Sequence, residues 1–307
     1  MGPARLLAGT AAAGVTAGVA LTAYGLWEAR QYTLREVTVP VLPPGANPLR
    51  VLHVSDIHLV PTQQRKLDWL AGLALLRPDL VVDTGDNLAH RDAVGPLVDA
   101  LGGLLDVPGV FVHGSNDYFE PQLRNPIKYL LPDDGKRHTD VPQLPWRDLT
   151  ARFTGAGWLD LTNARGRLTV NGVEIAFAGV DDPHVRRDRL ARIAGPAPRD
   201  ADLRLGVTHA PYLRVLDAFA RDGYDAILAG HTHGGQVCLP RLRGGGRALT
   251  TNCDLDPARA SGLHHHRDAW LHVSAGLGSS PYTRVRVACR PEATLLTLTA
   301  RADERAD

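Results

Sequence analysis

The sequence predicts an α/β protein with buried β-sheets, preceded by a hydrophobic helix at the amino terminus. Short apolar runs, typical of buried strands, alternate with amphipathic stretches typical of helices. The 307 residues, 44% hydrophobic and 22% charged, suffice for one large domain or two small ones with a sizeable core. A disordered, collagen-like or coiled-coil chain is therefore excluded.

The amino-terminal stretch Leu6–Trp27 carries no charged residue. As a helix it would be about 33 Å long, enough to cross a hydrocarbon core of roughly 30 Å. We expect residues 1–27 to form an uncleaved signal anchor, a transmembrane helix that attaches the protein to the cell membrane. A cleaved signal and a buried alanine-rich helix are the alternatives. The flanking charges do not indicate which side of the membrane the remaining chain faces.

Residues 28–47 are predicted to be a proline-containing connector with short valine-rich strands, and the regular alternation of elements begins after it. The predicted strands are Leu49–Ser55, Leu80–Thr84, Val107–His113, Val173–Val180, Leu203–Thr208, Ala226–Ala229, Trp270–Ser274 and Thr294–Thr299. The predicted helices are Arg65–Leu76 and Ala93–Leu105. This order favours an α/β architecture.

Two segments are predicted to be irregular. Pro121–Asp148 contains five prolines and forms a long excursion, either a cap over a binding site or a surface loop without a substrate role. As a cap, the excursion would contribute cations to a phosphate site: Arg124, Lys128, Lys136 and Arg137. The histidine tract His264–His266 is expected to be a solvated loop rather than a metal site.

Charge and cysteine content exclude several functions. The 34 Lys and Arg residues nearly balance the 33 Asp and Glu residues, so no global field attracts duplex nucleic acid. The three cysteines include no Cys-x-x-Cys pair, which argues against a disulfide framework and against a thiolate zinc site.

Side chains that bind metals occur in five loops, each of which follows an apolar strand-like run. Since buried strands deliver such loops to the carboxyl edge of a sheet, we expect the loops to converge. Their oxygen and nitrogen ligands suit iron, manganese or zinc and suit calcium poorly. There are too many for one ion but enough for two ions that share a bridging carboxylate. The candidate ligands are Asp56, His58, Asp86, Asn116, His209, His231 and His233.

These loops resemble, in order and approximate spacing, the motifs of the calcineurin-like metallophosphoesterases. The matching motifs are Asp56-x-His58, Gly85-Asp86, the loop at Gly114, His209 and Gly230-His231-x-His233. The resemblance covers nearly all of residues 48–300, and the stretch from Gly276 onward is similar to a membrane-associated bacterial subgroup. It implies a four-layer αββα sandwich of two mixed β-sheets flanked by helices, with residues 301–307 as a tail.

The resemblance also implies a division of the ligands between two divalent metal ions, Mn, Fe or Zn. Asp56, His58 and His233 would hold the first ion and Asp86 would bridge. His209 and His231 would hold the second ion together with an asparagine.

The loop Gly114-Ser115-Asn116-Asp117 departs from the family's usual Gly-Asn-His-Asp/Glu. An ungapped alignment makes Ser115 the ligand and Asn116 the replacement for the histidine, whereas a shift of one residue keeps Asn116 as ligand. We favour Asn116, because an amide oxygen is the better neutral ligand. In both alignments the usual general acid is missing, so the leaving group must be good or be protonated by water, Asp117 or His113.

The sequence therefore predicts a dinuclear metal-dependent phosphoester hydrolase, a phosphodiesterase or pyrophosphatase that acts on a substrate with a good leaving group. The candidate catalytic residues are Asp86, Asn116, Asp117 and His231. The predicted anchor favours a lipid-linked substrate. The alternative is a membrane-tethered metal-binding sensor or scaffold without turnover.

Overall fold

Two six-stranded β-sheets form the centre of the computed structural model, which describes residues 3–123, 137, 139–240 and 246–302, with side chains from residue 16 onward. The described helices are α1 Pro3–Glu28, α2 Gln64–Gly72, α3 Val94–Leu101, α4 Ser115–Tyr118, α5 Trp146–Gly155, α6 Leu190–Ile193 and α7 Leu213–Asp222. The described strands are β1 Thr33–Leu42, β2 Leu49–Val54, β3 Leu80–Asp83, β4 Gly109–Phe111, β5 Leu159–Asp160, β6 Ala164–Val170, β7 Val173–Gly179, β8 Leu203–Thr208, β9 Ala226–Ala229, β10 Cys238–Pro240, β11 Gly246–Ala248, β12 Gly262–His266, β13 Ala269–Val273 and β14 Glu292–Ala300.

Both large sheets are mixed. The first has the order β1-β14-β2-β3-β4-β5, and the second has the order β12-β13-β9-β8-β7-β6. The strands β2, β3 and β4 run parallel, as do β7, β8 and β9, whereas β14 and β2 are antiparallel. Because the parallel strands of each sheet point the same way, their carboxyl ends bring successive loops to one edge.

Three apolar clusters separate the layers. The middle cluster joins the inner faces of the two sheets, with Val82 of the first sheet and Leu205 of the second among its fully buried members. One outer cluster packs α2, α3 and α5 on the first sheet, and the other packs α7 on the second. The arrangement is an α/β sandwich with helices on both outer faces, as predicted.

Every strand predicted from sequence forms, with ends that differ by a few residues. The two predicted helices also form, and each ends in a 3-10 turn, Leu73–Leu76 after α2 and Gly102–Leu104 after α3. The edge strand β6 escaped prediction because polar residues occupy its exposed alternate positions. The segment assigned to a connector contains β1, which pairs with β14, so the sheet begins before residue 48. The remaining domain bounds stay a prediction.

The expectation of a solvated loop at His264–His266 is wrong. These residues belong to β12, which pairs with β13, and the ring of His266 is buried with Nε2 2.9 Å from Asp217 Oδ1. Half of the proline-rich excursion, residues 124–136 and 138, lies outside the described residues, including Arg124, Lys128 and Lys136. Its last residues already form α5, which begins at Trp146.

A helix forms at the amino terminus, and its last turn is bonded to the segment before β14. The Glu28 carboxylate accepts hydrogen bonds from the backbone N–H groups of Ala288 and Cys289, each over 3.0 Å. Within the part of the chain that the structure describes, no helix combines the length and apolar character required to cross a membrane. The predicted transmembrane helix is therefore not confirmed.

Candidate metal centre

All seven predicted ligands lie at the carboxyl ends of the inner parallel strands. In the first sheet, Asp56 and His58 follow β2, Asp86 follows β3, and Asn116 follows β4. In the second sheet, His209 follows β8, and His231 and His233 follow β9. The two sheets meet at this edge, so loops distant in sequence come together.

Four of these residues surround one possible cation position. His58 Nε2 lies 4.0 Å from Asp56 Oδ1 and 3.4 Å from Asp86 Oδ2, and His233 Nε2 lies 3.7 Å from Asp56 Oδ1. Asp56, His58 and His233 form a group whose ligand atoms are all within 4.8 Å of one another. This set is the one predicted for the first metal.

A second group shares Asp86 with the first. The Oδ2 atom of Asp86 lies 3.6 Å from His209 Nε2 and 2.8 Å from the side-chain amide of Asn116. The ring of His231 completes the group, with Nδ1 3.3 Å from His209 Nε2. A single carboxylate oxygen thus faces both groups, which is the geometry required of a bridging ligand.

Unpartnered buried atoms indicate that the site fits cations. Asp56 Oδ1 and His58 Nε2 are buried and have no hydrogen-bond partner among the described residues. Such atoms are rare in folded proteins, because burying a polar group without a partner costs free energy. Two other ring nitrogens contact carbonyl oxygens, His209 Nδ1 with Thr84 and His233 Nδ1 with Gly278. These contacts leave Nε2 of each ring facing the site as a ligand.

Burial sets the protonation states. It lowers the pKa of His58 to about 4 and, helped by the charge of His209, that of His231 to about 3, so both rings are neutral as metal ligation requires. For His209 burial also acts to lower the pKa, but Asp86 and the neighbouring carboxylates outweigh it and raise the pKa to about 10. Burial raises the pKa of Asp56 to about 6. The cluster therefore favours positive charge at its centre.

The backbone at five predicted ligands is strained. Asp56, His58, Asp86, His231 and His233 all have positive φ, between 44° and 70°. Residues other than glycine rarely adopt this region, and it costs of order 1–3 kcal/mol for each. Such strain clusters at functional sites, where the surrounding structure enforces it.

A family model for calcineurin-like phosphoesterases matches residues 49–235, the span that contains every predicted ligand. The chain belongs to the calcineurin-like phosphoesterase family. It is accordingly a metal-dependent phosphoesterase, a hydrolase of ester bonds.

Three relatives illustrate the range of this family. The Bacillus subtilis protein named uncharacterized metallophosphoesterase YkoQ is 28% identical over 260 residues, covering 82% of this phosphoesterase and 84% of the relative. The Escherichia coli phosphodiesterase YaeI is 26% identical over 267 residues, covering 83% of each chain. A transmembrane protein with metallophosphoesterase domain from Bos taurus is 30% identical over 248 residues, covering 76% of this chain and 52% of the relative.

Asp182 is a carboxylate of the phosphoesterase site that sequence reasoning missed. It is fully buried, its Oδ1 accepts a hydrogen bond from the backbone N–H of His184, and burial raises its pKa to about 7. The ring of His184 lies 4.4 Å from that of His231. The signal was present, because Asp181 and Asp182 follow the apolar run of β7 as the ligands follow theirs.

Arg286 is a second residue that the sequence did not reveal. Its side chain is almost fully buried, and Nη2 donates to the carbonyl oxygens of Ala275, Gly276 and Gly278 over 2.8, 3.1 and 2.5 Å. Gly278 O is also the partner of His233 Nδ1. Arg286 therefore fixes the loop that orients a predicted ligand.

The phosphoesterase site opens into a cavity of about 430 Å³. Predicted ligands form one wall, and Arg137 lies at another, where its Nη2 donates to Tyr212 Oη over 2.8 Å. Much of the remaining lining is apolar: Phe119, Pro121, Val185, Val237 and Val285. The cavity has room for an organic group beside a phosphoryl group.

Proposed function

We propose that this phosphoesterase hydrolyses phosphodiester or pyrophosphate bonds with good leaving groups. The observation that carries the proposal is the loop at Gly114, where Asn116 lies close to Asp86 and the histidine of the usual Gly-Asn-His pattern is absent. An amide has no proton to give to a departing alkoxide. Substrates whose leaving group is already a weak base do not need that proton.

The cation ligands in this proposal divide as the two groups do. Asp56, His58 and His233 would hold one divalent ion, and His209, His231 and Asn116 would hold another, with Asp86 shared. When bound, the two ions supply Lewis-acid polarisation of the phosphoryl oxygens and lower the pKa of a water nucleophile. The protein itself excludes bulk water by burial and holds the imidazoles of His58 and His231 neutral.

Asn116 is the better candidate than Ser115 for the ligand from this loop. Its side-chain amide lies 2.8 Å from Asp86 Oδ2, and its backbone N–H donates to Asp86 Oδ1 over 2.7 Å. Rotation of the side-chain amide by a half-turn exchanges Nδ2 for Oδ1 beside Asp86 Oδ2, and Oδ1 is the atom that a cation would bind. Ser115 also lines the cavity, 3.5 Å from the Asn116 amide.

Asp117 is better suited to positioning than to proton transfer. It is fully buried, and its carboxylate accepts hydrogen bonds from the backbone N–H groups of Asp86, Asn87 and Gly114. These bonds direct both carboxylate oxygens toward the backbone, and Asp117 is not among the residues that line the cavity. His113, the other candidate donor, is buried with its Nε2 2.8 Å from Thr150 Oγ1, and it is not among the residues that line the cavity. Since neither side chain reaches the cavity, we assign leaving-group protonation to water.

A lipid surface is the partner that we propose for the amino-terminal helix. Val19, Leu21, Tyr24, Leu26 and Trp27 are between 45% and 66% exposed. Tyrosine and tryptophan favour membrane interfaces. Together with the apolar cavity wall, this supports a lipid-linked substrate, and the Bos taurus relative is named a transmembrane protein.

Flotation with vesicles of phosphatidylglycerol and phosphatidylcholine tests the lipid contact. We expect the full chain to float with the vesicles and the double variant Tyr24→Ser, Trp27→Ser to float several-fold less. Leu75→Ser, which changes an exposed leucine in the 3-10 turn after α2, is the matched control. Equal flotation of all three proteins would contradict the proposed contact.

The substrate preference is tested with metal-loaded protein and three substrates: an aryl phosphodiester, an asymmetric pyrophosphate diester and an alkyl monophosphate. We expect the first two to be hydrolysed about 10²–10⁴-fold faster than the third, the range that general acid catalysis usually supplies. The double variant Ser115→Asn, Asn116→His restores the family's usual loop and should accelerate only the alkyl ester. Faster hydrolysis of the alkyl ester by the natural protein would contradict the proposal.

A further inference from the structure

A continuous chain of buried hydrogen bonds runs from the second sheet to a predicted metal ligand. His272 on β13 and His53 on β2 meet across the sandwich, with their Nδ1 atoms 2.9 Å apart. His53 Nε2 lies 3.0 Å from Thr84 Oγ1, which donates to Ser55 Oγ over 2.7 Å. Ser55 Oγ donates to Asp56 Oδ2 over 2.5 Å.

We call this chain of His272, His53, Thr84, Ser55 and Asp56 the relay. The negative charge of Asp56 at its end determines the direction of every hydrogen bond in it. An ionised carboxylate only accepts, so the proton of Ser55 points to Asp56, and Ser55 in turn accepts from Thr84. Because the hydroxyl proton of Thr84 is donated to Ser55, the Thr84 oxygen must accept a hydrogen bond from His53 Nε2–H. A neutral His53 with its proton on Nε2 has a lone pair on Nδ1, so the proton between the two rings belongs to His272 Nδ1.

The relay also decides which carboxylate oxygen remains for a cation. Asp56 Oδ2 accepts from Ser55 and, over 2.9 Å, from the backbone N–H of His231. The other oxygen, Oδ1, has no hydrogen-bond partner within the described ranges and faces His58 and His233. Two donors on Oδ2 therefore orient Oδ1 toward the first cation position.

Packing alone does not account for these side chains. His53, Ser55 and Thr84 are fully buried, and His272 is 3% exposed beside Leu228 and Leu296 in the apolar layer between the sheets. A buried imidazole is tolerated only when its polar atoms are satisfied, whereas an apolar pair would fill the same space without that requirement.

We propose that Ser55, Thr84, His53 and His272 are positioning residues that present the Oδ1 atom of Asp56 to a divalent cation. This inference rests on the proposed metal centre. Residues that orient a ligand in this way change metal affinity when they are replaced, although they never touch the metal.

Cobalt(II) titration of the chelator-treated full chain, followed by its visible absorption, tests the relay. Thr84→Val breaks it at its middle and should weaken Co²⁺ binding about 10–100-fold. Thr294→Val is the matched control, because Thr294 is equally buried, lies opposite His53 in the sheet, and its Oγ1 has no hydrogen-bond partner in the part of the chain described. It should bind Co²⁺ within about twofold of the natural protein, as a change that removes no bond predicts.

Equal Co²⁺ affinity of Thr84→Val and the natural protein would overturn the proposal. If Thr84→Val does not fold, Ser55→Ala removes the last link alone and carries the same expectation. Failure of the natural protein to bind Co²⁺ would instead contradict the proposed function.

Nitrogen-15 NMR of the histidines in metal-free protein judges the relay independently of metal binding. We expect His53 to carry its proton on Nε2 and His272 on Nδ1. The opposite pair of tautomers, or a charged ring at neutral pH, would refute the relay. If Asp56 sets the histidine tautomers through the relay, Ser55→Ala should shift the population of His53 tautomers. If the two histidines have only a packing role, Ser55→Ala should leave that population unchanged.

Discussion

The carboxylate of Asp117 accepts a hydrogen bond from the backbone N–H of Asp86 over 2.9 Å. The same carboxylate accepts from Asn87 N–H over 2.8 Å and from Gly114 N–H over 2.9 Å. It thus ties the loop that follows β4 to the loop that follows β3. The position of Asp86 between the two groups of predicted ligands depends on this connection between two separate strand ends.

Replacement of Asp117 should therefore loosen the metal centre and destabilise the fold together. Asp117→Asn keeps one acceptor oxygen but turns an NH₂ group toward backbone donors, leaving at least one buried N–H without a partner. We expect the free energy of unfolding in urea to fall by about 2–4 kcal/mol. The exposed Asp99→Asn serves as control and should change it by less than about 0.5 kcal/mol. A matching small effect for Asp117→Asn would argue against the three bonds.

Asp86→Asn tests the shared ligand. Removing a carboxylate that faces both groups takes away the charge that holds two cations side by side. Since this clamp is worth several kcal/mol in the transition state, we expect kcat/KM to fall on the order of 10³-fold. Metal analysis should show the content per chain falling from two toward one. Unchanged metal content and turnover would contradict the bridging role, whereas a natural protein that binds two ions without turnover would favour the scaffold alternative.

Asp83 makes the stability of the metal-free protein depend on pH. Burial, reinforced by the nearby charge of Asp117, raises the pKa of Asp83 to about 7. The folded state therefore binds this proton more tightly than the unfolded state does. The resulting stability is complete below the unfolded pKa of about 4 and is lost as the pH rises through about 7.

Asp83→Asn removes this titration while keeping Oδ1 as acceptor for Gly85 N–H and Asn87 Nδ2. Relative to the variant, the natural protein should lose roughly 2–4 kcal/mol of unfolding free energy between pH 4 and pH 8. Urea unfolding at a series of pH values in the presence of chelator measures the difference. Parallel pH profiles for the two proteins would show that Asp83 does not titrate in this range.

The clustering of the predicted ligands could be anticipated from sequence because each lies within a few residues of the end of an apolar strand, so a local pattern carried the information. His58 follows β2 of the first sheet and His233 follows β9 of the second, so the strand pattern places each at a carboxyl edge. That the two edges meet was implied by the resemblance to a known family. The relay was not predictable in this way. His53 and His272 are separated by 219 positions and meet only because the two sheets stack, which no local pattern encodes.

Arg286 and the β12 strand were missed in the sequence for similar reasons. Arg286 looked like one of many arginines, and only its burial shows that it fixes the loop at Gly278. The β12 strand was mistaken for a loop because three consecutive histidines resemble a polar tract, although alternate side chains of an edge strand tolerate polar residues.

Gly114 is closely packed against two predicted ligands, Asp86 and His209. This residue has an extended backbone, so alanine would not strain its φ angle, but a Cβ atom there would overlap Asp86 Oδ1 and come within 2.7 Å of His209 Cε1. Both neighbours are predicted ligands of the second cation. Gly114→Ala must therefore displace the bridging carboxylate, the histidine or the loop itself.

We expect Gly114→Ala to weaken Co²⁺ binding about 10–100-fold and to lower the free energy of unfolding by about 1–3 kcal/mol. Gly95→Ala is the matched control, because Gly95 lies in α3 and an added Cβ would meet no atom within 4 Å. Alanine is the better helix former, so Gly95→Ala should raise the stability by about 0.5–1 kcal/mol and leave Co²⁺ affinity unchanged. If Gly114→Ala behaved like Gly95→Ala, Asp86 and His209 could not lie where the proposed second cation requires them.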